Sequence, residues 1–234
     1  MKSMLALFLC ASSVCAAQSS LPATFRSIYA PHDVTLLTDP RSTFWQGAEP
    51  VYAERDTYGH HVPLHRTEIR SRWTHDSLYL LFICPYQKLY LKRHPSHSQE
   101  TYGLWKWDVA ELFLGTDFQD IKRYKEFEVS PQGEWVDLDV NLHLPDHTVG
   151  WTWNSGFQVE AQIDRKAGVW YGAMRIPFSG IDLHAPYAGQ FFRANLLRNQ
   201  GPPKNQYSIA WQTPMADTFH TPNSFGLLKL VETK

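Results

Sequence analysis

The feature that most constrains this chain is a series of short apolar runs that alternate with a period of two and are separated by turn signals. In VAELFLG, Ala110, Leu112 and Leu114 alternate with Val109, Glu111 and Phe113; in KEFEVS, Phe127 and Val129 alternate with Glu126 and Glu128. Successive side chains of a strand point to opposite faces, so the acidic residues project from one face of a sheet and the aliphatic ones from the other. Similar runs are expected at Thr67 to Trp73, Ser77 to Pro85, Tyr124 to Ser130, Glu134 to Val140, Phe157 to Ile163 and Val169 to Ile176. Gln190 to Leu197, Tyr207 to Trp211 and Phe225 to Leu230 complete the set. The breaks fall at THDS, SPQG, NSG, RKAG and RNQGPPKN, and no stretch sustains helical periodicity. This pattern predicts an all-β fold, a two-sheet antiparallel β-sandwich of jelly-roll type, and not a β-α-β arrangement.

Residues 1–17 carry Lys2, an apolar stretch from Met4 to Leu9 and a small-residue end at VCAAQ, the layout of a secretory signal peptide. The expected location is therefore secreted or periplasmic. That apolar stretch is too short to span a bilayer, and no later segment supplies about 18 consecutive apolar residues, so no membrane span is expected. Residues 18–35 read as a polar leader and 36–234 as a single β-sandwich domain. Of the three cysteines, Cys10 and Cys15 fall within the signal, which leaves Cys84 in LYLLFIC as a small buried hydrophobe. The formal charge of -1 and the lack of long runs of one sign argue against nucleic acid as a partner.

Aromatic residues make up 14% of the chain, a high share beside ordinary hydrophobicity, which points to rings that serve a surface. Two long polar segments, Gln87 to Trp107 and Leu142 to Ser155, carry His94, His97, Tyr102, Trp105, Trp107, His143, His147, Trp151 and Trp153, and are candidates for the rim of a site. Trp151 and Trp153 are expected on one side of an extended segment. Trp45, Trp73, Trp135 and Trp170 read as core. A pyranose offers an apolar face and a belt of hydroxyls, so flat rings beside carboxylates and carboxamides suit it.

The segment from Trp105 to Trp135 resembles family 9 carbohydrate-binding modules, in which a tryptophan and an aspartate precede a V-x-E-x-F strand and a later strand closes in an N/S-P-x-G turn. Trp105, Asp108, Glu111, Phe113 and Ser130 to Gly133 fill those places. The likeness continues through FWQGAEPV, WYGAMRIPF, FFRANLLRN, SIAW and SFGLLKL, over about residues 36 to 232. It implies a non-catalytic protein that holds an oligo- or polysaccharide, with Trp105 as a stacking platform and Glu111, six residues on, bonding sugar hydroxyls. It further implies Asn195 in place of a sugar-binding Gln, Phe219 as the second ring, and Glu128 where the family has an arginine. That last exchange turns a donor fork into an acceptor pair and leaves the sugar undefined. Arg193 or Arg198 is a candidate partner for Glu111, and Arg198 joins the candidate carbohydrate-binding set.

The resemblance also implies structural calcium. TDPRSTFW lies where the family often has D-G-x-x-D, but it lacks the glycine and the second acid, so no ligand is assigned. The eleven histidines show no zinc spacing. Two alternatives stay open: a glycoside hydrolase using a pair such as Glu111 and Glu128, and a haem b electron-transfer domain of a related sandwich family, with Met174 or Met215 as ligand.

Overall fold

The structure is a computed structural model that describes residues 22–144, 151–181, 183 and 185–232. The expected signal peptide and His147 lie outside the described residues. Among the described residues there are thirteen strands. They are β1 (Thr24–Tyr29), β2 (Val51–Ala53), β3 (Arg55–Asp56), β4 (Thr67–Trp73), β5 (Ser77–Pro85), β6 (Val109–Gly115) and β7 (Arg123–Val129). The series continues with β8 (Trp135–Asn141), β9 (Gln158–Asp164), β10 (Val169–Pro177), β11 (Phe191–Gln200), β12 (Tyr207–Ala210) and β13 (Gly226–Val231). One short helix, α1 (Thr43–Gln46), is capped by the Ser42 hydroxyl and buries Trp45.

The order β8-β7-β6-β11-β13-β1-β4-β5-β10-β9 runs through one sheet that curls back on itself. The result is an all-β, sandwich-like and barrel-like fold. Its main core contains Phe25, Leu80, Leu112, Phe127, Trp170, Leu196 and Leu228. Cys84 belongs to that core, is a free thiol, and is pushed up to about 12 chiefly by burial.

The ladder departs from the expected antiparallel plan at β1. This strand pairs in parallel with β13 through Phe25–Leu228 and Ser27–Leu230, and in parallel with β4 through Ile28–Arg72. The segment read as a polar leader therefore supplies a strand in the middle of the sheet. Its polar composition is absorbed locally: the Ser71 hydroxyl donates to that of buried Ser27 at 2.8 Å, while Arg26 turns outward to Glu49. With Phe25 fully buried, β1 joins the two halves of the sandwich.

Of the tryptophans read as core, Trp45, Trp73 and Trp170 are buried, whereas Trp135 is half-buried at the edge. Trp45 sits in α1, not in a strand.

Candidate functional site

Register decides which face each candidate occupies. Across β6 and β7, Glu111 lies opposite Glu128 and Phe113 opposite Glu126; across β6 and β11, the same two positions face Leu197 and Asn195. Directly opposed residues share a face. The acids thus emerge on the side away from the main core, as their alternation predicts, yet all three are buried. They are covered by a second apolar cluster in which Leu104, Trp151, Phe219 and Phe225 pack over Val109, Phe113, Tyr124 and Leu138.

Between this cover and the sheet lies a cleft of about 280 Å³. Trp105, Phe113, Trp151, Phe219 and His220 supply its rings; Glu111, Glu126, Asn199, Gln206 and Ser208 supply its polar surface. Gly103, with φ 83°, opens the short 3-10 turn Leu104–Lys106 that buries Leu104 and leaves Trp105 half-exposed. The Gln206 amide donates to the carbonyls of Trp105 (3.0 Å) and Trp107 (3.2 Å), which fixes that turn, and Tyr102 meets Trp105 edge-on at 5.1 Å. Asp108, from the same motif, is a structural clamp: its carboxylate accepts from the Tyr90 and Gly201 N–H groups and from Gln200.

On the other wall, His220 stacks on Phe113 (centroids 5.3 Å apart, 17° between planes) and bonds the Tyr124 hydroxyl at 2.6 Å. Trp151 abuts His220 edge-on at 5.4 Å and donates from its indole to the Asn141 carbonyl. Trp151 and Trp153 do not share a side: the first joins the cleft cluster and the second packs on Phe127 at the main core. The chain between them is irregular, with a single bridge at Thr152, so the two-residue rule for strands does not apply.

The floor is electrostatically unusual. Glu111 accepts from the Asn199 amide at 2.6 Å, and Asn199 in turn accepts from Ser208. Both oxygens of Glu128 and one of Glu126 receive no hydrogen bond from any donor outside the acid cluster, and the two carboxyls lie within hydrogen-bonding reach of each other. Burial, then the charges of Glu111 and Glu126, holds the Glu128 carboxyl far above its ordinary range; burial and Glu126 do the same to Glu111. Burial pushes Glu126 up to about 7. Among the described residues, these three acids are the group whose ligand atoms could surround a metal, all lying within 4.8 Å of one another.

The six sequence candidates separate accordingly. Trp105, Glu111 and Phe219 meet in the cleft, and Glu128 lies beneath its floor. Asn195 does not reach it: its amide donates to the Gln212 carbonyl and its oxygen accepts from the Leu196 and Gln212 N–H groups. Arg198 is likewise misplaced by the sequence reading. It follows Leu197 on a strand, so it points into the main core, where it donates to Thr67, the Pro85 carbonyl and Gln200, with its guanidinium 5.9 Å from the Trp170 ring centre. Arg193 donates to the carbonyls of Asp117, Ile121 and Arg123, so the partner of Glu111 is Asn199 and not an arginine.

Glu126, Phe113, Asn199, Gln206 and His220 complete the cleft without having been singled out as ligand contacts. Glu126 was accessible to sequence reasoning, since it shares the alternating face with Glu128; His220 carried no local signal. Met174 is wholly buried and Met215 is 65% exposed, so the two do not converge on a cavity. Asp39, in TDPRSTFW, is bonded to Arg41.

A larger depression of about 460 Å³ lies between the turn at Gln132 and Gly133 and strand β9. Its rings are Trp135, Phe157 and His97, and its only carboxylate is Glu160, so it lacks the convergent ring-and-acid character of the smaller cleft.

No family model matches the chain. A carbohydrate-binding module of family 9 from Caldicellulosiruptor kristjanssonii, solved with cellotriose, superposes with a TM-score of 0.65 at 13% identity, covering 91% of this chain and 95% of that one. The same organism's module solved with glucose gives 0.62 at 14% identity, covering 89% and 97%. The chain has the family 9 carbohydrate-binding module fold. In sequence, an "Extracellular protein" of Arthroderma benhamiae is 26% identical over 182 residues, 72% of this chain and 80% of that protein. Within the family 9 fold, the cleft described above sits on the outer face of β6, β7 and β11. Among the described residues, no helix is long and apolar enough to cross a membrane.

Proposed function

We propose that the protein is an exported, non-catalytic carbohydrate-binding protein whose cleft holds part of an oligo- or polysaccharide. The observation that carries this reading is the convergence of Trp105, Trp151 and Phe219 with Glu111, Asn199 and Gln206 in one cleft. Rings offer flat surface to the C–H face of a sugar, and the carboxylate and amides around them suit its hydroxyls. Solved proteins of this fold hold cellotriose and glucose, and the extracellular relative fits an exported chain that meets glycans outside the cell. A role beside a separate glycoside hydrolase follows from the same chemistry: a binder that catalyses nothing still raises the local concentration of an enzyme on its polymer. A hydrolytic pair of Glu111 and Glu128 has no such support, because Glu128 lies under the floor with no exposed surface.

Isothermal titration against a panel of glucans, xylans, mannans and their oligosaccharides tests the reading. Saturable binding is expected in the micromolar to millimolar range, since ordering offsets most of the contact energy of a small site. Trp105→Ala should weaken it by about tenfold or more, the equivalent of ~1.4 kcal/mol. A folded protein that gives no heat with any glycan would overturn the assignment.

A further inference from the structure

The floor of the cleft gathers more negative charge than a sugar requires. Glu111, Glu126 and Glu128 come from two adjacent strands, present ligand oxygens within 4.8 Å of one another, and are each at least 97% buried, being 2%, 3% and 0% exposed. Neighbouring strand backbone cannot neutralise them, because its N–H groups are engaged in the β6–β7 and β6–β11 ladders. What faces them from β7, β8 and β11 is Tyr124, Val136, Leu138, Leu197 and Asn199. Asn199 supplies a single amide donor, to Glu111, and Arg193 on this face gives its Nε and Nη2 to three backbone carbonyls and donates to none of the three acids.

A second observation points to a ligand. Both Glu128 oxygens and one Glu126 oxygen receive no hydrogen bond from any donor outside the acid cluster although their side chains are buried, the Glu126 and Glu128 carboxyls meeting only each other, and buried polar atoms in native proteins are almost always satisfied. A buried carboxylate left without a partner is among the costliest arrangements a fold can hold, which is why buried charges are paired or coordinate metals.

We propose that Glu111, Glu126 and Glu128 together hold one hard divalent cation of the calcium class in the floor of the cleft, where it presents open coordination positions to the space above. The donor set is all oxygen, which suits calcium or magnesium over zinc or copper. Three carboxylates supply only part of the six to eight oxygens that calcium takes. Because Glu111 and Glu126 line the cleft, the remaining positions face it. Asn199 then acts as the outer group that orients Glu111. On the carbohydrate reading of the cleft, the open positions are filled by a pair of sugar hydroxyls; the ion site itself does not depend on that reading.

Terbium is the probe for the first step, because tryptophans lining the cleft sensitise its luminescence. The full-length exported form, stripped with chelator, is titrated with terbium, which is then displaced by calcium, magnesium or manganese; Glu128→Gln and Glu126→Gln are run in parallel with circular dichroism to show that they fold. One ion per chain is expected, displaced by calcium, with affinity reduced at least about tenfold in each variant. No bound ion in the folded chain, or an affinity in both variants equal to the parent's, overturns the site. A glycan titration with and without calcium then separates the two readings: glycan binding without any ion binding overturns the cation site and leaves the carbohydrate reading standing, whereas ion binding with no glycan response upholds the site and removes the sugar.

Discussion

At the scale of the residue, one position along a strand separates Glu111 and Phe113 in the cleft from Leu112 in the core, and the same rule decides Arg198. Leu197 faces the cleft, so Arg198 enters the main core and becomes a fully buried cation stitched to Thr67, the Pro85 carbonyl and Gln200. The alternation needed to place it was present in FFRANLLRN, but the need for a cation to partner Glu111 favoured the site over the core. Asn195 is the opposite case: its face agrees with the cleft, and only the local tie to Gln212 removes it. Backbone ties made by side chains leave no signature in a sequence. Arg198→Ala should therefore destabilise the protein by about 2–4 kcal/mol, from a cavity and orphaned acceptors, as measured by urea unfolding. Its affinity for any glycan should stay within about twofold of the parent, whereas a cleft residue would move both.

At the scale of the element, strands with a clean two-residue period were legible to within a residue or so, β4 and β5 to the residue, because burial of one face leaves its mark in composition; β11 alone of these runs three residues past its expected end, to Gln200. Three strands were not. β2 and β3 are three and two residues long, too short for any period to show. β1 is long enough, but its inward face carries Ser27, whose hydroxyl is satisfied by Ser71 from a strand far along the chain. A chain beginning at residue 36, the boundary suggested by sequence alone, should fail to unfold cooperatively, while one beginning at Pro22 should melt like the full chain. Phe25→Ala in the latter should cost about 3–5 kcal/mol. The partner strand supplies a finer test. A methyl added at Gly226 would stand 2.6 Å from the Trp211 ring and 2.7 Å from the Ala23 carbonyl, so Gly226→Ala should lose about 1–3 kcal/mol in thermal or urea unfolding.

At the scale of the whole molecule, the cover over the outer face is what turns a solvated sheet face into a site. Sequence reasoning put acids on one face and rings in two long loops; it could not see that the loops fold over the acids, because that closure depends on contacts between segments a hundred residues apart, such as Tyr124 with His220. The same closure ties distant segments together at Glu100, which lies beside Asp137 of β8, whose carboxylate accepts from the Ser155 N–H at 2.7 Å. Burial, then the Asp137 charge and a hydrogen bond with it, pushes Glu100 up to about 7 from an ordinary 4.5. The sign follows from proton counting: between those values the folded chain holds a proton that the unfolded chain has released, so the contribution is fully present below about pH 4.5 and is lost as pH rises through about 7. Glu111, Glu126 and Glu128 shift in the same direction, so the pH slope of the parent protein has several sources. The difference between parent and Glu100→Gln isolates one of them. Melting temperatures measured in chelator from pH 4.5 to 8 should show the parent losing stability relative to Glu100→Gln as pH rises, since glutamine keeps a donor toward Asp137 at every pH. Parallel curves for the two proteins would mean that Glu100 titrates as it does in the unfolded chain, and that the contact between the first loop and β8 opens in solution.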